Sequence, residues 1–178
     1  MEILILDEAD LPPELDAQLR TDLCLCFPDD AEIYRQTRAW HGAVPAYTVI
    51  CHEAGRVVSH VGVVERTITV GGAPLRVAGV ESVYVLPEYR GQRRSRPVLV
   101  AAIAEAAARQ LDCGLLFCLP ELAKVYTRCG WRAVSPRPIL RVEDGQELPL
   151  PAKNIALFHP LRVRQLPEGL IHLGGNDW

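Results

Sequence analysis

The fold of this chain is decided by one stretch, Val80-Glu81-Ser82-Val83-Tyr84-Val85-Leu86-Pro87-Glu88-Tyr89-Arg90-Gly91-Gln92-Arg93-Arg94-Ser95-Arg96-Pro97. Its apolar beginning predicts a strand, and the polar turn after it carries four arginines within seven residues. A serine and a proline then suit the first turn of a helix, which an alanine-rich sequence continues to Leu111. A helix start offers unpaired amides and a positive dipole end, so this turn is either a phosphate-binding loop or a solvated basic turn.

Outside this stretch, the hydrophobic periodicity predicts alternating strands and helices. We expect strands over residues 2–6, 47–51, 56–70, 75–85, 115–118, 131–134 and 154–158, and helices over residues 12–27, 96–111 and 120–128, with a short helix or loop over 29–39. Gly62 is expected to bulge or bend its strand, and Gly71-Gly72 to close a hairpin. Residues 135–153 are expected to form a surface excursion, followed by a tail over 166–178. This order predicts a single α+β domain over residues 1–178, with a mixed sheet and helices packed on its faces.

Composition and charge argue against several classes of function. The net charge is −3, whereas proteins that bind duplex DNA or anionic membranes usually carry a basic excess, so we expect neither partner. No apolar stretch is long enough to span a bilayer, and the first residues lack the features of a signal peptide. The six cysteines form no Cys-x-x-Cys pair and the five histidines do not cluster with them, which predicts free thiols, no metal site and a cytoplasmic location.

Two segments and the helix between them resemble the acyl-CoA binding core of the GNAT N-acetyltransferase superfamily. The segments are Glu81 to Arg93 and Val125-Tyr126-Thr127-Arg128-Cys129-Gly130-Trp131. The superfamily motif Arg/Gln-x-x-Gly-x-Gly/Ala falls on Arg90-Gly91-Gln92-Arg93-Arg94-Ser95, where Arg93 and Ser95 replace the usual small residues. The resemblance implies the GNAT fold, with a mixed, mostly antiparallel sheet that has helices on both faces.

A closer similarity is to the aminoglycoside 2′-N-acetyltransferases. It is carried by Tyr89-Arg90-Gly91-Gln92-Arg93, Val80-Glu81, Leu75-Arg76, Phe27-x-x-Asp30 and the ending Asp177-Trp178. The nodulation-type N-acyltransferases are similar more weakly, through the long hairpin and the tail. Both similarities imply acyl transfer from a thioester to an amine.

The resemblance implies acetyl-CoA as donor and a primary amine of a small cationic molecule as acceptor. It implies a donor site composed of Val83, Tyr84, Val85, Arg90, Gly91, Gln92, Arg93, Arg94, Ser95 and Arg96. It also implies that Glu81 acts as general base and that Tyr126 protonates the departing thiolate, while the Val83 amide polarises the thioester carbonyl. An ordinary strand glutamate and a packed core tyrosine remain the structural alternatives for Glu81 and Tyr126.

The acceptor site is implied by the same resemblance. Asp30 matches an aspartate that contacts the antibiotic in the aminoglycoside enzymes, and Asp177-Trp178 roughly matches their ending. Asp29, Asp30, Asp177 and the terminal carboxylate of Trp178 are therefore candidate anions for an aminoglycoside-like or polyamine-like amine. A helix cap after Pro28 is an equally weighted alternative for Asp29 and Asp30. A homodimer is compatible with the resemblance.

Two other functions remain open at this point. One is an N-acyltransferase with a longer acyl donor. The other is a non-catalytic CoA-binding regulatory domain, which Arg93 and Ser95 favour and which would need neither Glu81 nor Tyr126. An acyl-cysteine route through Cys118 or Cys129 is disfavoured, because no histidine has an assignable place beside either thiol.

Overall fold

A computed structural model describes residues 1–178. The chain divides into two compact units: unit 1 comprises Met1–Val64 and Glu81–Ala102, and unit 2 comprises Glu65–Val80 and Ile103–Trp178. Two long strands, β3 (Arg56–Val70) and β4 (Ala73–Val85), and the helix α3 (Ser95–Ala108) contribute residues to both units. None of the helices combines the length and the apolar character that crossing a membrane requires.

Unit 1 contains an antiparallel arrangement of strands and two helices. Its strands β1 (Glu2–Asp7) and β2 (Tyr47–Glu53) pair with each other, and β2 pairs with the first part of β3. Helix α1 (Pro13–Cys26) begins at a proline, whose fixed φ suits a first helical turn, and a 3₁₀ turn over Pro28–Asp30 leads into α2 (Ala31–Gln36).

The core of unit 1 packs α1 and α2 against the strands. Leu19 and Leu23, one helical turn apart on α1, are fully buried beside Ile50 of β2 and Tyr84 of β4. At its margin the guanidinium of Arg38, which is 3% exposed, donates hydrogen bonds to Glu8, Asp16 and Thr48 over 2.6 to 3.0 Å.

Unit 2 is built on a mixed sheet with the strand order β6-β9-β5-β4-β3-β10-β7-β8. The additional strands are β5 (Cys113–Cys118), β6 (Arg132–Ala133), β7 (Ile139–Glu143), β8 (Gln146–Pro149), β9 (Ile155–Pro160) and β10 (Ile171–His172), and the helix α4 spans Ala123–Thr127. β4 and β5 are parallel, as are β7 and β10, whereas β9 runs antiparallel to both β5 and β6. The expected mixed α+β fold is confirmed.

The ladder between β4 and β5 is short. It contains three pairs, Val77↔Cys113, Ala78↔Gly114 and Gly79↔Leu115, whereas the ladder between β5 and β9 continues to Cys118↔Ile155. The apolar run of β5 is buried almost throughout, as expected for a strand covered on both faces.

Three local expectations from the sequence are wrong. Residues 135–153 are not a simple surface excursion, because they contain the hairpin of β7 and β8 inside the sheet of unit 2. The tail after residue 166 contributes β10, which pairs with β3 and β7. Gly62 forms no β-bulge in the pairing of β3 with β2, since it pairs in register with Thr48, and the register shift falls at Cys51/His52 instead.

Candidate active site

Strand β4 runs without a break from Ala73 to Val85, but its extended backbone geometry is interrupted at Ser82, directly before the segment expected to hold the donor. The φ angle of Ser82 is 49°, a left-handed conformation that costs a non-glycine residue on the order of 1–3 kcal/mol. Such interruptions re-aim the side chains that flank them and are common beside active sites. In a regular strand the side chains of Glu81 and Val83 would point to the same face, and that alternation does not continue through Ser82.

Glu81 is a buried carboxylate on β4, with 4% of its surface exposed. A Cβ at Gly62 of β3 would lie 3.3 Å from Cγ of Glu81 and 3.4 Å from its Oε1. Gly62 therefore leaves room for the Glu81 side chain, which is the physical reason for a glycine in the middle of β3. The carboxylate therefore lies in surroundings of low dielectric constant.

Tyr34 of α2 interacts both with Ser82, where β4 is irregular, and with Asp30 in the acidic turn before that helix. Its hydroxyl lies 3.2 Å from Oγ of Ser82. Burial raises the pKa of the Tyr34 hydroxyl above its usual range, and the negative charges of Glu81 and Asp30 act in the same direction. Unit 1 thus brings Asp30 and Tyr34, which lie near each other in the sequence, close to Ser82 and Glu81 of β4, about fifty positions further along the chain.

The acidic turn is not a side-chain helix cap. Asp29 and Asp30 lie in the 3₁₀ turn before α2, and Asp30 occupies the N-cap position without a side-chain hydrogen bond to the helix. The capping alternative is therefore right for the position of Asp30, but the carboxylate makes no capping hydrogen bond. Asp29 is exposed and Asp30 is half-buried, so both carboxylates face at least some solvent.

The arginine-rich loop divides into anchors and free cations. Arg94 is an anchor, because its guanidinium pairs with Glu53 at 3.1 Å and its carbonyl accepts a hydrogen bond from Ser59. Arg90 folds back so that its Nε donates to the carbonyl of Val85 at 3.2 Å. Arg93 and Arg96 are exposed and form no ion pair. The exposed guanidinium groups of Arg93 and Arg96 therefore belong to residues at the amino end of α3.

The backbone of the loop is shaped by two left-handed residues. Gly91 has a φ of 78° and nothing lies within 4 Å of a Cβ built on it, while Arg93 has a φ of 58°. Helix α3 begins at Ser95 itself, so Ser95 is the first helical residue rather than a cap. Open space at Gly91, the dipole of the amino end of α3 and the exposed cations of Arg93 and Arg96 fit the diphosphate that a CoA thioester carries.

Tyr126 lies in α4 of unit 2, 9% exposed, with its ring in edge contact with Trp131 at 6.4 Å between centroids. Burial raises the pKa of its hydroxyl above the usual range, and the neighbouring thiol of Cys118 adds to this. No protein group hydrogen-bonds the hydroxyl. Tyr126 is therefore a neutral donor that is available to a ligand, and packing accounts for its ring but not for its hydroxyl.

The end of the chain is packed into unit 2. Asp177 is buried and its carboxylate lies 3.4 Å from Nη1 of Arg141. The indole of Trp178, 4% exposed, donates from Nε1 to the carbonyl of Leu115 at 3.2 Å and lies over Gly79, where a Cβ would come within 2.4 Å of Cε2. Arg66 lies over the same indole, 5.1 Å from its centroid. The indole therefore has a structural role, and an acceptor role for this ending stays a prediction.

The thiols and the remaining polar groups support no other chemistry. All six cysteines are free, and burial raises the pKa of the Cys118 thiol to about 11, which leaves it a poor nucleophile at neutral pH. No group of three or more His, Cys, Asp or Glu side chains is arranged to hold a metal ion.

Sequence reasoning missed His60 and Tyr34. His60 is a single histidine within an apolar strand, and Tyr34 is a single tyrosine on a short helix, so neither stands in a motif. Both contact Ser82, whose left-handed conformation has no signature in the sequence.

Residues 16–134 match the profile of a protein family described as acetyltransferase (GNAT) domain. The match includes β4, the arginine-rich loop, α3 and α4, and it covers more than half of the 178 residues.

A sequence relative is Nodulation protein A of Bradyrhizobium elkanii, which is 36% identical over 121 residues. The match covers 66% of this chain and 56% of the relative, so this chain spans a little over half the length of that protein.

Solved structures with a similar fold include the GNAT family N-acetyltransferase YhbS of Escherichia coli in complex with CoA. It has a TM-score of 0.67 and 17% identity, covering 97% of this chain and 90% of that one. A GNAT family acetyltransferase of Brucella melitensis in complex with acetyl-CoA has a TM-score of 0.61 and 20% identity, covering 96% and 94%. At these identities the likeness shows the fold.

Proposed function

This chain belongs to the GNAT acetyltransferase family, and from that premise we propose that it transfers the acetyl group of acetyl-CoA to a primary amine of a small cationic acceptor. The observation that carries the proposal is the buried carboxylate of Glu81, which adjoins the interruption of β4 at Ser82 and precedes the arginine-rich loop in the family-matched region. We propose a cytoplasmic site of action, because six free thiols suit a reducing compartment.

Donor binding is assigned to unit 1. The backbone of Val83 to Val85 holds the pantetheine arm, with Tyr84 buried between them, and the loop from Arg90 to Arg96 holds the diphosphate. Arg93 and Arg96 supply charge, whereas Arg94 fixes the loop through Glu53. The Val83 amide follows the interruption at Ser82 and donates to the thioester oxygen, where negative charge develops in the transition state.

Proton transfer is assigned to Glu81 and Tyr126. Glu81 accepts a proton from the acceptor's ammonium group, and the neutral amine nitrogen then attacks the thioester carbon. As the C–S bond breaks, the nitrogen loses its second proton, and the departing sulfur takes up a proton, which gives the amide and the CoA thiol. Tyr126 donates a hydrogen bond to the departing thiolate. Because burial raises the pKa of Tyr126, complete proton transfer to a thiolate is uphill, and stabilisation by the hydrogen bond is its main contribution.

The charge of unit 1 supports a cationic acceptor. Asp30 and Glu81 both act electrostatically on Tyr34, so their fields overlap at the interruption of β4. An acceptor with two or more ammonium groups, such as an aminoglycoside or a polyamine, would place one group near Glu81 and another near Asp29 and Asp30. Asp177 contributes less to this attraction, because Arg141 compensates its charge.

The test is an acetyl-transfer assay with a panel of aminoglycosides, polyamines and simple alkylamines. Products are identified by mass, because six free cysteines would react with a thiol-specific dye. We expect turnover with at least one polyamine or aminoglycoside. Glu81→Gln should lower kcat roughly 10²–10⁴-fold and Tyr126→Phe should lower it by a smaller factor, with unchanged acetyl-CoA affinity.

The matched control is Glu14→Gln, which removes an exposed carboxylate on α1 and should leave kcat unchanged. Full activity of Glu81→Gln would remove the assigned base. Full activity of Tyr126→Phe would remove the assigned donor.

A longer acyl donor is the second candidate, and the similarity to Nodulation protein A favours it. Assays with octanoyl-CoA and palmitoyl-CoA separate the two, since turnover only with these thioesters would replace the acetyl assignment. Thermal stabilisation by CoA without turnover on any amine or donor would instead support a regulatory domain.

A further inference from the structure

Ser82 is held in its left-handed conformation by two side chains that take no part in the proposed chemistry. His60 of β3 lies with Nδ1 2.9 Å from the carbonyl oxygen of Ser82. Tyr34 of α2 has its hydroxyl 3.2 Å from Oγ of the same residue. One contact fixes the backbone of the residue between Glu81 and Val83, and the other fixes its side chain.

The protonation state of His60 follows from its surroundings. Burial lowers the pKa of the imidazole to about 3, so the ring is neutral at physiological pH. A carbonyl can only accept, so Nδ1 carries the proton and donates it to Ser82. Nε2 is then an acceptor, and it is buried without a hydrogen-bond partner.

Packing alone does not account for a histidine at this position. The ring is fully buried and stacks on Tyr84, with 5.2 Å between centroids and 16° between planes. A phenyl ring would make the same stack and would remove the unpaired Nε2, but it would leave the Ser82 carbonyl without its donor. What the imidazole adds is the hydrogen bond to the Ser82 carbonyl.

We propose that His60 is a positioning residue, whose Nδ1–H holds the Ser82 carbonyl so that the Glu81 carboxylate and the Val83 amide keep the orientation that acyl transfer requires. This inference rests on the proposed function. Tyr34 acts as a second, weaker clamp through the Ser82 hydroxyl. Neither side chain contacts the reacting atoms.

Two substitutions at position 60 separate positioning from packing. His60→Asn retains an N–H donor bonded to Cγ, in the place of Nδ1, but loses the ring and leaves a small void. His60→Phe retains the ring stack and removes the orphan acceptor, but it cannot donate. His60→Phe therefore keeps the packing and loses the hydrogen bond, whereas His60→Asn keeps the hydrogen bond and loses part of the packing.

We expect kcat to fall in the variant that loses the hydrogen bond to the Ser82 carbonyl and to be largely kept in the variant that retains it. His60→Phe should keep a melting temperature near that of the wild type and lose roughly 10–100-fold in kcat, with little change in KM for acetyl-CoA, because small displacements of reacting groups cost that much. His60→Asn should melt at a lower temperature and keep most of its kcat. Wild-type kcat in His60→Phe, or an equal loss in both variants, would overturn the proposal.

Tyr34→Phe is compared with Tyr47→Phe, which also removes one buried hydroxyl hydrogen bond, the 2.8 Å contact with the carbonyl of Ala102. We expect a lower kcat only for Tyr34→Phe. Equal effects of the two substitutions would contradict the assigned clamp.

A measurement independent of turnover keeps the inference testable if no amine is acetylated. Deuterium uptake by the peptide spanning residues 80–86 should be faster in His60→Phe than in the wild type and close to wild type in His60→Asn. Unchanged uptake in His60→Phe would refute the clamp. Absence of wild-type turnover with the expected uptake pattern would refute the proposed function alone.

Discussion

Replacing Gly79 by alanine tests how the indole of Trp178 is seated in unit 2. The new Cβ would lie 2.4 Å from Cε2 and 2.7 Å from two further indole atoms, whereas ordinary contact begins near 3.4 Å. The indole must therefore move by about 1 Å, away from β4. Its hydrogen bond to the carbonyl of Leu115 is already 3.2 Å long, so this movement would break or weaken it.

The expected loss of stability has two parts. Overpacking of a closely packed site costs about 1–3 kcal/mol, and the lost hydrogen bond adds about 1 kcal/mol. We therefore expect Gly79→Ala to lower the free energy of unfolding by about 2–4 kcal/mol. For a chain of this length that corresponds to a fall in Tm of roughly 4–16 °C.

The assay is a double-mutant cycle with Trp178→Leu, followed by urea and thermal unfolding. Without the indole, whose atoms are the three nearest to the new Cβ, Gly79→Ala should be much less costly, and alanine also loses less backbone entropy than glycine on folding. A coupling free energy of about 1–3 kcal/mol is expected. If Gly79→Ala costs the same in both backgrounds, the seating of the indole on Gly79 is refuted.

Two further predictions concern unit 1. Arg38→Met should lower the free energy of unfolding by less than the roughly 3–5 kcal/mol typical of breaking a fully buried ion pair. The reason is that Glu8 and Asp16 keep about a third of their side-chain surface exposed, so water can solvate the carboxylates that lose their partner. Burial raises the pKa of Asp16, but hydrogen bonds from Arg38 and Arg20 outweigh it and leave this pKa below the usual value of 3.8. The ionised Asp16 carboxylate therefore stabilises the folded state above pH 3.8, and this stabilisation is lost as the pH falls below that value. Since burial lowers the pKa of His60 from 6.5 to about 3, His60 disfavours the folded state as the pH falls between these values, and His60→Phe should flatten the urea-unfolding free energy between pH 6 and pH 4 by about 1.4 kcal/mol per pH unit. An unchanged slope would contradict a buried, neutral imidazole.

Periodicity and local chemistry predicted much of the secondary structure, because those signals are local. The proline at the start of α1, the alanine-rich α3 and the apolar run of β5 each determine an element from neighbouring residues alone. The hairpin of β7 and β8 escaped prediction, because its prolines and polar residues are typical of loops and its pairing with the sheet depends on distant strands.

In the candidate site, too, local signals predicted some features and contacts between distant residues decided the others. Glu81, Tyr126 and the loop from Arg90 to Arg96 could be predicted as candidates because they stand in or near a motif whose order along the chain is preserved. The roles within the loop were not foreseeable: Arg94 pairs with Glu53, which is 41 residues away, and Arg93 and Arg96 remain exposed.

By itself the sequence determined the family, the order of most elements and the residues that are candidates for the chemistry. Only the tertiary structure decided how those candidates are held: the left-handed Ser82, its contacts with His60 and Tyr34, the room that Gly62 leaves for Glu81, and the seat of Trp178 on Gly79. The physical reason is that periodicity reports which face of an element is buried, whereas hydrogen bonds and close packing join residues that the chain separates by tens of positions.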